Sequence, residues 1–293
     1  MGYDISYHPI SPEEMRRWYF EPIKDDTALE HLAVTEQVNI EILREAFNNY
    51  RQYLSEEPQT NLFEKKHGYL LAAAQGLFRS YFYNRGCLLT SLLENHRKTF
   101  QKYFISLRDL VPEEYRSLKF SNGIEENWCG GAYLSAEGVV QLEYDIRHNA
   151  DVALKLLQEF APDGLRILLK ALHYAKENKQ GLLEATEVIS PPLNTAATNI
   201  DKAELDFDDN EEDIKEGEAE IHEIFNSLGL ADALQQYYPK KLHPLLRLKK
   251  KVQFSDRIIT VIYAVLLCAM LIPALWGAWT YSSELLYKKQ LST

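Results

Sequence analysis

The sequence predicts a mainly α-helical protein: a compact helical body with at most a small β-sheet, followed by an acidic linker and one C-terminal transmembrane helix. Three observations predict this class. Helix-capping patterns precede amphipathic runs in the body, an acidic block follows them, and an uncharged segment lies near the C-terminus. The 293 residues suffice for a large core. A content of 46% hydrophobic and 26% charged residues excludes a disordered or polytopic membrane protein.

The expected organisation divides the chain into five parts. Residues 1–190 form a compact, mostly helical cytoplasmic domain. Residues 191–218 form an acidic flexible linker, and residues 219–257 form an amphipathic helix with a basic juxtamembrane segment. A transmembrane helix occupies residues 258–281, and residues 282–293 form a short tail. Three cysteines are too few for a framework of paired disulfides, so the soluble part is expected in a reducing compartment.

Capping patterns predict the first helices. Residues 11–14, Ser-Pro-Glu-Glu, combine a capping box with proline at the first helical position. A second box at residues 27–30, Thr-Ala-Leu-Glu, precedes a long amphipathic run that extends to about Leu54. The apolar stretch over residues 62–96 predicts two central helices, or one helix that bends.

The second half of the body gives similar signals. Ser135 is the expected N-cap of a helix over residues 136–148. Asp163 is the expected N-cap of a helix over residues 164–178 that Gly181 ends. Strands are scarce, and the candidates are residues 3–8, which stop at Pro9, residues 131–135 and residues 187–189.

The acidic block accounts for most of the charge of the chain. Residues 201–223 hold twelve acids and two lysines, a net charge of −10 against −11 for the whole protein. The body is therefore nearly neutral once the basic juxtamembrane patch is counted separately. Such a block repels itself and is expected to be extended or only locally helical. The apolar spacing over residues 218–238 then suits an amphipathic helix.

Residues 258–281 predict a membrane anchor because these 24 residues contain no charge. A helix of this length covers about 36 Å, against a hydrocarbon core of roughly 30 Å. Seven cations precede the segment and only Lys288 and Lys289 follow it, which places the N-terminal body in the cytoplasm. The protein is thus expected to be a single-pass protein of the cell inner membrane. A buried core helix is the alternative interpretation. The expected membrane-interface residues are Trp276, Trp279 and Tyr281.

The sequence holds no phosphate-loop, dinucleotide-binding, nucleophile-elbow, zinc-protease or paired-cysteine motif. It therefore predicts no cofactor and no metal, and the acidic charge predicts no nucleic-acid partner. Trp128 and Cys129 stand in an Asn-Trp-Cys-Gly-Gly stretch that must turn. Cys129 is either a nucleophile on a loop, with His67, His148 or His173 as its base, or a small buried hydrophobic residue.

A second cluster lies between residues 65 and 86, where aromatic residues and arginines are dense. Aromatic and arginine side chains dominate binding hot spots. The candidate partner-binding residues are His67, Tyr69, Arg79 and Arg85 of this region, together with Trp128 and Cys129 of the turn. The alternative is a core helix whose arginines reach surface acids.

Two further groups have weaker signals. Glu184 and Glu187 could perform acid–base work or hold a cation, but a solvated helix end or loop is the favoured interpretation. His8 stands beside Pro9 and is expected to be a turn histidine.

Several long phrases together resemble a group of uncharacterised bacterial proteins. They are MGYDISYHPIS, HGYLLAAAQGLFRSYFYNRG, ENWCGGAYLS and YAKENKQGLLEATEVISPPLN, in that order, over residues 1–194. The group is associated with the immunity proteins of polymorphic-toxin neighbourhoods. The resemblance implies a role in binding a protein partner and supplies no catalytic residues. The acidic linker and the anchor lie outside the shared part.

Three functions follow as hypotheses. The favoured one is a membrane-anchored interaction protein that binds a toxin or other protein partner at the cytoplasmic face, and the resemblance implies that it is of the immunity type. An enzyme with a site near Cys129, His67 and Glu184 is the first alternative. The second is a component of a membrane assembly whose transmembrane helix packs through Ala274, Gly277 and Ala278.

Overall fold

The computed structural model describes residues 5–56, 61–84, 86–121, 132–186, 188 and 211–237. Within this part the protein is mainly helical with a small five-stranded sheet, as the sequence predicts. None of the helices in these residues is long and apolar enough to cross a membrane. The predicted transmembrane helix at residues 258–281, with its interface residues Trp276, Trp279 and Tyr281, lies outside the described residues.

The described residues contain five strands and ten named α-helices, which a short helical stretch at residues 231–237 follows. The helices are α1 (Pro12–Met15), α2 (Asp26–Glu36), α3 (Ile40–Glu56), α4 (Tyr69–Gly76), α5 (Leu89–Asn95), α6 (Arg97–Phe100), α7 (Leu107–Leu110), α8 (Ala136–His148), α9 (Ala150–Glu177) and α10 (Glu211–Ser227). Turns of π-helix follow α1 (Arg16–Phe20) and precede α4 (Glu64–Gly68). The strands are β1 (Ile5–Ile10), β2 (Phe82–Tyr83), β3 (Phe104–Ser106), β4 (Ala132–Leu134) and β5 (Gly181–Thr186).

The sheet has the strand order β2-β1-β5-β4-β3, and all neighbours are antiparallel. Strand β1 runs through Pro9, where the sequence predicted that it would stop. Pro9 lies opposite Leu182 of β5, yet its carbonyl accepts a hydrogen bond from the Gln75 side chain at 3.3 Å. The backbone of Pro9 therefore faces away from β5, and the missing N–H costs the sheet no hydrogen bond.

Helices cover both faces of the sheet. Ile10, Leu183 and Tyr133 of one face share a buried cluster with α1 to α4. On the other face, Tyr7 lies against α9, where Asn84 donates both to the Tyr7 hydroxyl at 3.1 Å and to the Gly164 carbonyl at 2.8 Å. Because side chains alternate along a strand, the continuously buried pattern of β1 and β5 reflects this two-sided cover.

The two predicted capping boxes have different outcomes. The Ser11 box is confirmed, with Pro12 in the first turn and both reciprocal hydrogen bonds to Glu14 present. The predicted N-cap at Thr27 is wrong. The N-cap of α2 is Asp25, two residues earlier, and its side chain accepts a hydrogen bond from the Thr27 N–H. The single long run is also wrong: Gln37 takes a left-handed φ of 56°, and a second helix, α3, begins three residues later.

The central apolar stretch forms two helices, α4 and α5, with the short strand β2 between them. Ser135 caps α8 as predicted. The predicted cap at Asp163 is wrong, since α9 begins at Ala150 and breaks at Ala161, whose φ of 54° and ψ of 163° are not helical. Pro162 follows the break, where a proline fits the first turn of the resumed helix.

Two strand predictions need a correction. Gly181 does not end α9, because Lys179 takes the left-handed φ of 55° and Gly181 is the first residue of β5. The last strand therefore lies at residues 181–186, before the predicted 187–189. The candidate at 131–135 is confirmed as β4 for the residues that the structure describes.

The acidic block is partly helical and docked on the body. Helix α10 begins at Glu211. Residues 211–218 were predicted to belong to the flexible linker but are helical. Its apolar side, which the sequence predicts, buries Ile221, Ile224 and Phe225. Gly217 lies so close to α9 that an added Cβ would be 2.5 Å from the Arg166 side chain, and Arg147 of α8 pairs with Glu220. A further helical stretch follows at residues 231–237.

Candidate functional site

His67 lies in a buried aromatic cluster beneath the surface of the body. It belongs to the π-helical turn before α4 and is 7% exposed. Its Nδ1 is 2.8 Å from the Tyr19 hydroxyl, and the ring centroids of Phe63 and Tyr115 lie 5.8 and 4.8 Å from its own. Burial lowers the pKa of His67 to about 4, and the charges of Lys66 and Lys24 act in the same direction. The imidazole is therefore neutral at pH 7.

The partner of His67 keeps its proton as well. Burial raises the pKa of Tyr19 well above its usual value of 10, and the nearby tyrosines Tyr115, Tyr50 and Tyr53 add to the effect. A neutral phenol and a neutral imidazole share one hydrogen bond without charge. The hydrogen bond between Tyr19 and His67 therefore links the π-helical turn after α1 to the π-helical turn before α4.

An open cleft of about 510 Å³ lies on the surface beside this cluster, and we call it the Phe20 cleft. It contains one aromatic residue, two cations and three acids: Arg16, Phe20, Glu21, Lys24, Asp25, Ala28, Pro112 and Glu114 line it. The Phe20 ring packs at 4.9 Å against Tyr115, which connects the cleft to the His67 cluster.

The charges of the Phe20 cleft form local pairs. Arg16 is 3.4 Å from Glu21, and Lys24 pairs with Glu114 while its Nζ lies 4.8 Å from the centre of the Tyr115 ring. All of these pairs are largely exposed, so they contribute little to stability and can exchange for other partners. The cleft thus offers an open surface with charges of both signs above the buried Phe20 ring.

Tyr69 and Arg79 do not join His67 in a shared surface. Tyr69 is half-buried and packs against Tyr53, with ring centroids 6.3 Å apart. Arg79 forms a two-armed ion pair with Glu14 at 2.8 and 3.2 Å and lies 4.8 Å over the Trp18 ring. Partner binding by these three residues stays a prediction. Arg79 reaches an acid, but it lies after the end of α4 and Glu14 is largely buried, so it does not match the alternative of a helix whose arginines reach surface acids.

The prediction that Glu184 lies at a solvated helix end or in a loop is wrong. Glu184 lies in β5 with no exposed surface and accepts hydrogen bonds from the N–H of Leu89 and from the N–H and hydroxyl of Thr90, the latter two at 3.2 and 2.6 Å. Helix α5 begins at Leu89 after Leu88, which provides no side-chain cap. Glu184 therefore caps α5 from a neighbouring strand, where a carboxylate also suits the helix dipole.

His8 is a core histidine and not the predicted turn residue. It has no exposed surface, its ring nitrogens lie 2.6 Å from Gln75 Oε1 and 2.7 Å from Ser6 Oγ, and it stacks on Tyr81 at 4.8 Å. Burial lowers the pKa of His8 to about 4, and the bond to Gln75 only partly opposes this. The alternation of β1 already indicated that Ser6 and His8 share one face.

Several predicted site residues lie outside the described residues: Arg85, Trp128, Cys129 and Glu187. Of the histidines proposed as bases, His148 is exposed and stacks on Tyr144, and His173 lies 3.5 Å from Glu143 on α8. The residues that sequence reasoning missed are those of the Phe20 cleft. They come from distant segments at 16–28 and 112–114, and no local pattern relates them.

The described part of the chain holds no group of three or more His, Cys, Asp and Glu side chains that could bind a metal ion. Where acids do gather, as at Glu21, Asp25 and Glu114, the side chains pair with cations or cap helices. Hydrogen bonds from Thr27 lower the pKa of Asp25, so this cap carries its charge at neutral pH. In comparisons with known proteins, the chain matches no family model, no curated protein and no solved structure.

Proposed function

We propose that the protein is a membrane-anchored interaction protein, of the immunity type, whose body binds a toxin or other protein partner at the cytoplasmic face. The Phe20 cleft is the observation that carries this proposal. It presents an arginine and a lysine at an open surface above the buried Phe20 ring, and arginine is among the side chains that binding hot spots favour.

The charges around the Phe20 cleft fit a polar protein surface better than an apolar ligand. A protein partner can replace the exposed pairs of Arg16 and Lys24 with pairs of its own. Charges at the rim of an interface mainly increase the association rate and exclude wrong partners. An immunity protein needs both properties, since it must meet its toxin quickly and selectively.

The predicted anchor would hold this surface near the membrane. Helix α10 and the stretch 231–237 pack with the body, burying Phe225 and Leu234. Residues 238–257 separate this docked part from the predicted transmembrane helix at 258–281, and a chain of that length reaches roughly 70 Å when fully extended. We infer that the anchor would keep the partner-binding surface on the membrane.

The proposal is tested by affinity capture of the full chain from its own cells in mild detergent, with Lys24→Glu as the cleft variant. Lys155→Glu is the matched control, because Lys155 also pairs with an acid, Asp151, but lies on α9 across the sheet. We expect a stoichiometric protein partner with the wild type and the control, and its loss with Lys24→Glu. A partner that all three retain equally would contradict binding at the Phe20 cleft.

A further inference from the structure

Strand β3 forms one edge of the sheet and has its own surface features. Among the described residues it pairs with β4 alone, with Ile105 opposite Tyr133. The Ser135 N–H donates to the Tyr103 carbonyl at 3.4 Å, so the backbone of Tyr103, and by alternation that of Ile105, faces β4. The carbonyl of Phe104 and the N–H of Ser106 consequently face outward from the edge.

A second cleft, of about 200 Å³, runs along this edge. Its described lining is mostly apolar and includes Leu93, Phe104 and Ile105. Ile105 is 39% exposed, so its side chain is accessible along the edge. The cleft shares no lining residue with the Phe20 cleft.

The charge at this edge is positive. Arg97 is the charged side chain among the described lining residues, and Lys98 follows it on α6. Both are exposed, and neither has an ion-pair partner within the described ranges. Lys102, one turn further on, is already paired with Asp145. An incoming acidic group would therefore meet Arg97 and Lys98 without displacing an existing ion pair.

We propose that β3 and its cleft bind an extended segment of a partner protein that carries acidic residues between apolar ones. The segment adds to the sheet as a sixth strand, with one hydrogen bond to the Phe104 carbonyl and one from the Ser106 N–H. Its apolar side chains pack on Ile105, and an acidic side chain pairs with Arg97. The proposal does not depend on the Phe20 cleft.

Natural proteins usually protect exposed edges by making them short or by placing charges on them. Strand β3 is short, with three residues, but an apolar side chain, Ile105, stands at its exposed edge. Two outward backbone groups supply limited affinity, since each hydrogen bond changes the binding constant by a factor of only about five. Binding must therefore also use the apolar cleft and Arg97, and this requirement makes the surface selective for an acidic segment.

The test uses the full chain in detergent and a short fluorescein-labelled peptide of alternating valine and aspartate, followed by fluorescence anisotropy. A peptide with lysine in place of aspartate is the control ligand. Ser106→Pro removes the outward N–H, and the φ of −70° at Ser106 already suits proline. Ser106→Ala is its matched control, because both variants lose the hydroxyl that accepts the Arg108 N–H while alanine keeps its own N–H.

We expect the aspartate peptide to bind and the lysine peptide not to bind. Ser106→Pro should weaken binding at least roughly fivefold relative to Ser106→Ala. Arg97→Glu, an exposed substitution that leaves the fold unchanged, should weaken it by a similar factor, and Lys24→Glu should leave it unchanged.

Three results would each overturn the proposal. The aspartate peptide does not bind at millimolar concentration, or it binds equally to folded Ser106→Pro and Ser106→Ala, or both peptides bind alike. Sedimentation equilibrium of the same samples tests whether a second copy of this chain binds the β3 edge instead. A wild-type dimer that Ser106→Pro dissociates would assign the edge to a second copy of this chain and contradict a heterologous partner.

Discussion

Glu184 shows how one buried side chain can hold two layers of the protein together. It leaves the sheet from β5 and receives the first N–H groups of α5, which has no local cap. Removal of a charged acceptor leaves buried donors without a partner, and this is more costly than the bond itself.

We therefore predict that Glu184→Ala lowers the free energy of unfolding by about 2–4 kcal/mol. Glu184→Gln keeps one acceptor oxygen and should lose about half as much. Urea denaturation of the full chain in detergent measures both. Glu159→Ala is the control, an acid that receives its Asn95 hydrogen bond at the exposed surface. Equal stability of Glu184→Ala and wild type would refute the capping role.

His8 and His67 make stability depend on pH. Both have a folded-state pKa of about 4, below the ordinary value of 6.5, because burial disfavours the charged form. The free energy of unfolding that the two histidines contribute is fully present above pH 6.5. It is lost as the pH falls from 6.5 to 4, because in this range the unfolded state binds more protons than the folded state. Each histidine should account for about 2–4 kcal/mol across that window.

Denaturation midpoints of His8→Gln and His67→Gln between pH 7.5 and 4.5 measure this effect. Each variant should show a smaller loss of stability on acidification than the wild type. The exposed His31→Gln should keep the wild-type slope. Identical slopes for all four proteins would show that the two buried histidines are not the titrating groups.

Sequence reasoning at the residue scale succeeded where the partners are local and failed where they are distant. The Ser11 box joins residues three apart, and it is present as predicted. Glu184 meets a helix 95 residues away, and His8 meets Gln75 across 67 residues. No local pattern shows such partners, so both residues were assigned to loops or turns.

At the scale of elements, helices were predicted well and their ends poorly. Asp25 displaces the predicted cap at Thr27 because either residue satisfies the preference at an N-cap, and tertiary packing decides between them. The ends at Gln37 and Lys179 adopt left-handed conformations that usually indicate glycine. Sequence patterns that search for glycine therefore miss them.

Helix α9 depends on a close approach that a single methyl group would prevent. An added Cβ at Gly164 would lie 2.1 Å from the Cys87 sulfur and 3.1 Å from Asn84 Oδ1. We predict that Gly164→Ala destabilises the protein by about 1–3 kcal/mol through overpacking. Cys87→Ala should reduce that cost, because it removes the nearest atom.

A double-mutant cycle in urea tests this contact. The double variant Gly164→Ala/Cys87→Ala should be more stable than the sum of the single effects predicts, by about 1 kcal/mol. Gly86→Ala provides a comparison at a position with open space but a φ of 73°, where strain alone acts. Strict additivity would show that Cys87 does not limit the approach of α9.

At the scale of the whole molecule, the predicted class is confirmed for the described residues, but the strand order could not be predicted. Each neighbour of β5 lies far from it in sequence, since β1 is at the N-terminus and β4 precedes two helices. The Phe20 cleft was missed for the same reason. Its two sides come from separate segments that the fold brings together.

The anchor is a prediction at this same scale. We expect the full chain to stay in the membrane pellet after alkaline carbonate extraction, because residues 258–281 match the thickness of the hydrocarbon core. A variant that lacks residues 258–281 should appear in the supernatant. Release of the full chain by carbonate would contradict a transmembrane anchor and would favour the buried-helix alternative.

Photo-crosslinking in intact cells tests the central claim most directly. A benzophenone side chain replaces Ala28 in the lining of the Phe20 cleft, and in a control it replaces Val140, which is 48% exposed on α8. We predict one discrete crosslinked protein partner from position 28, in the membrane fraction, and none from position 140. The claim is contradicted if position 28 yields no adduct, or if both positions capture the same proteins.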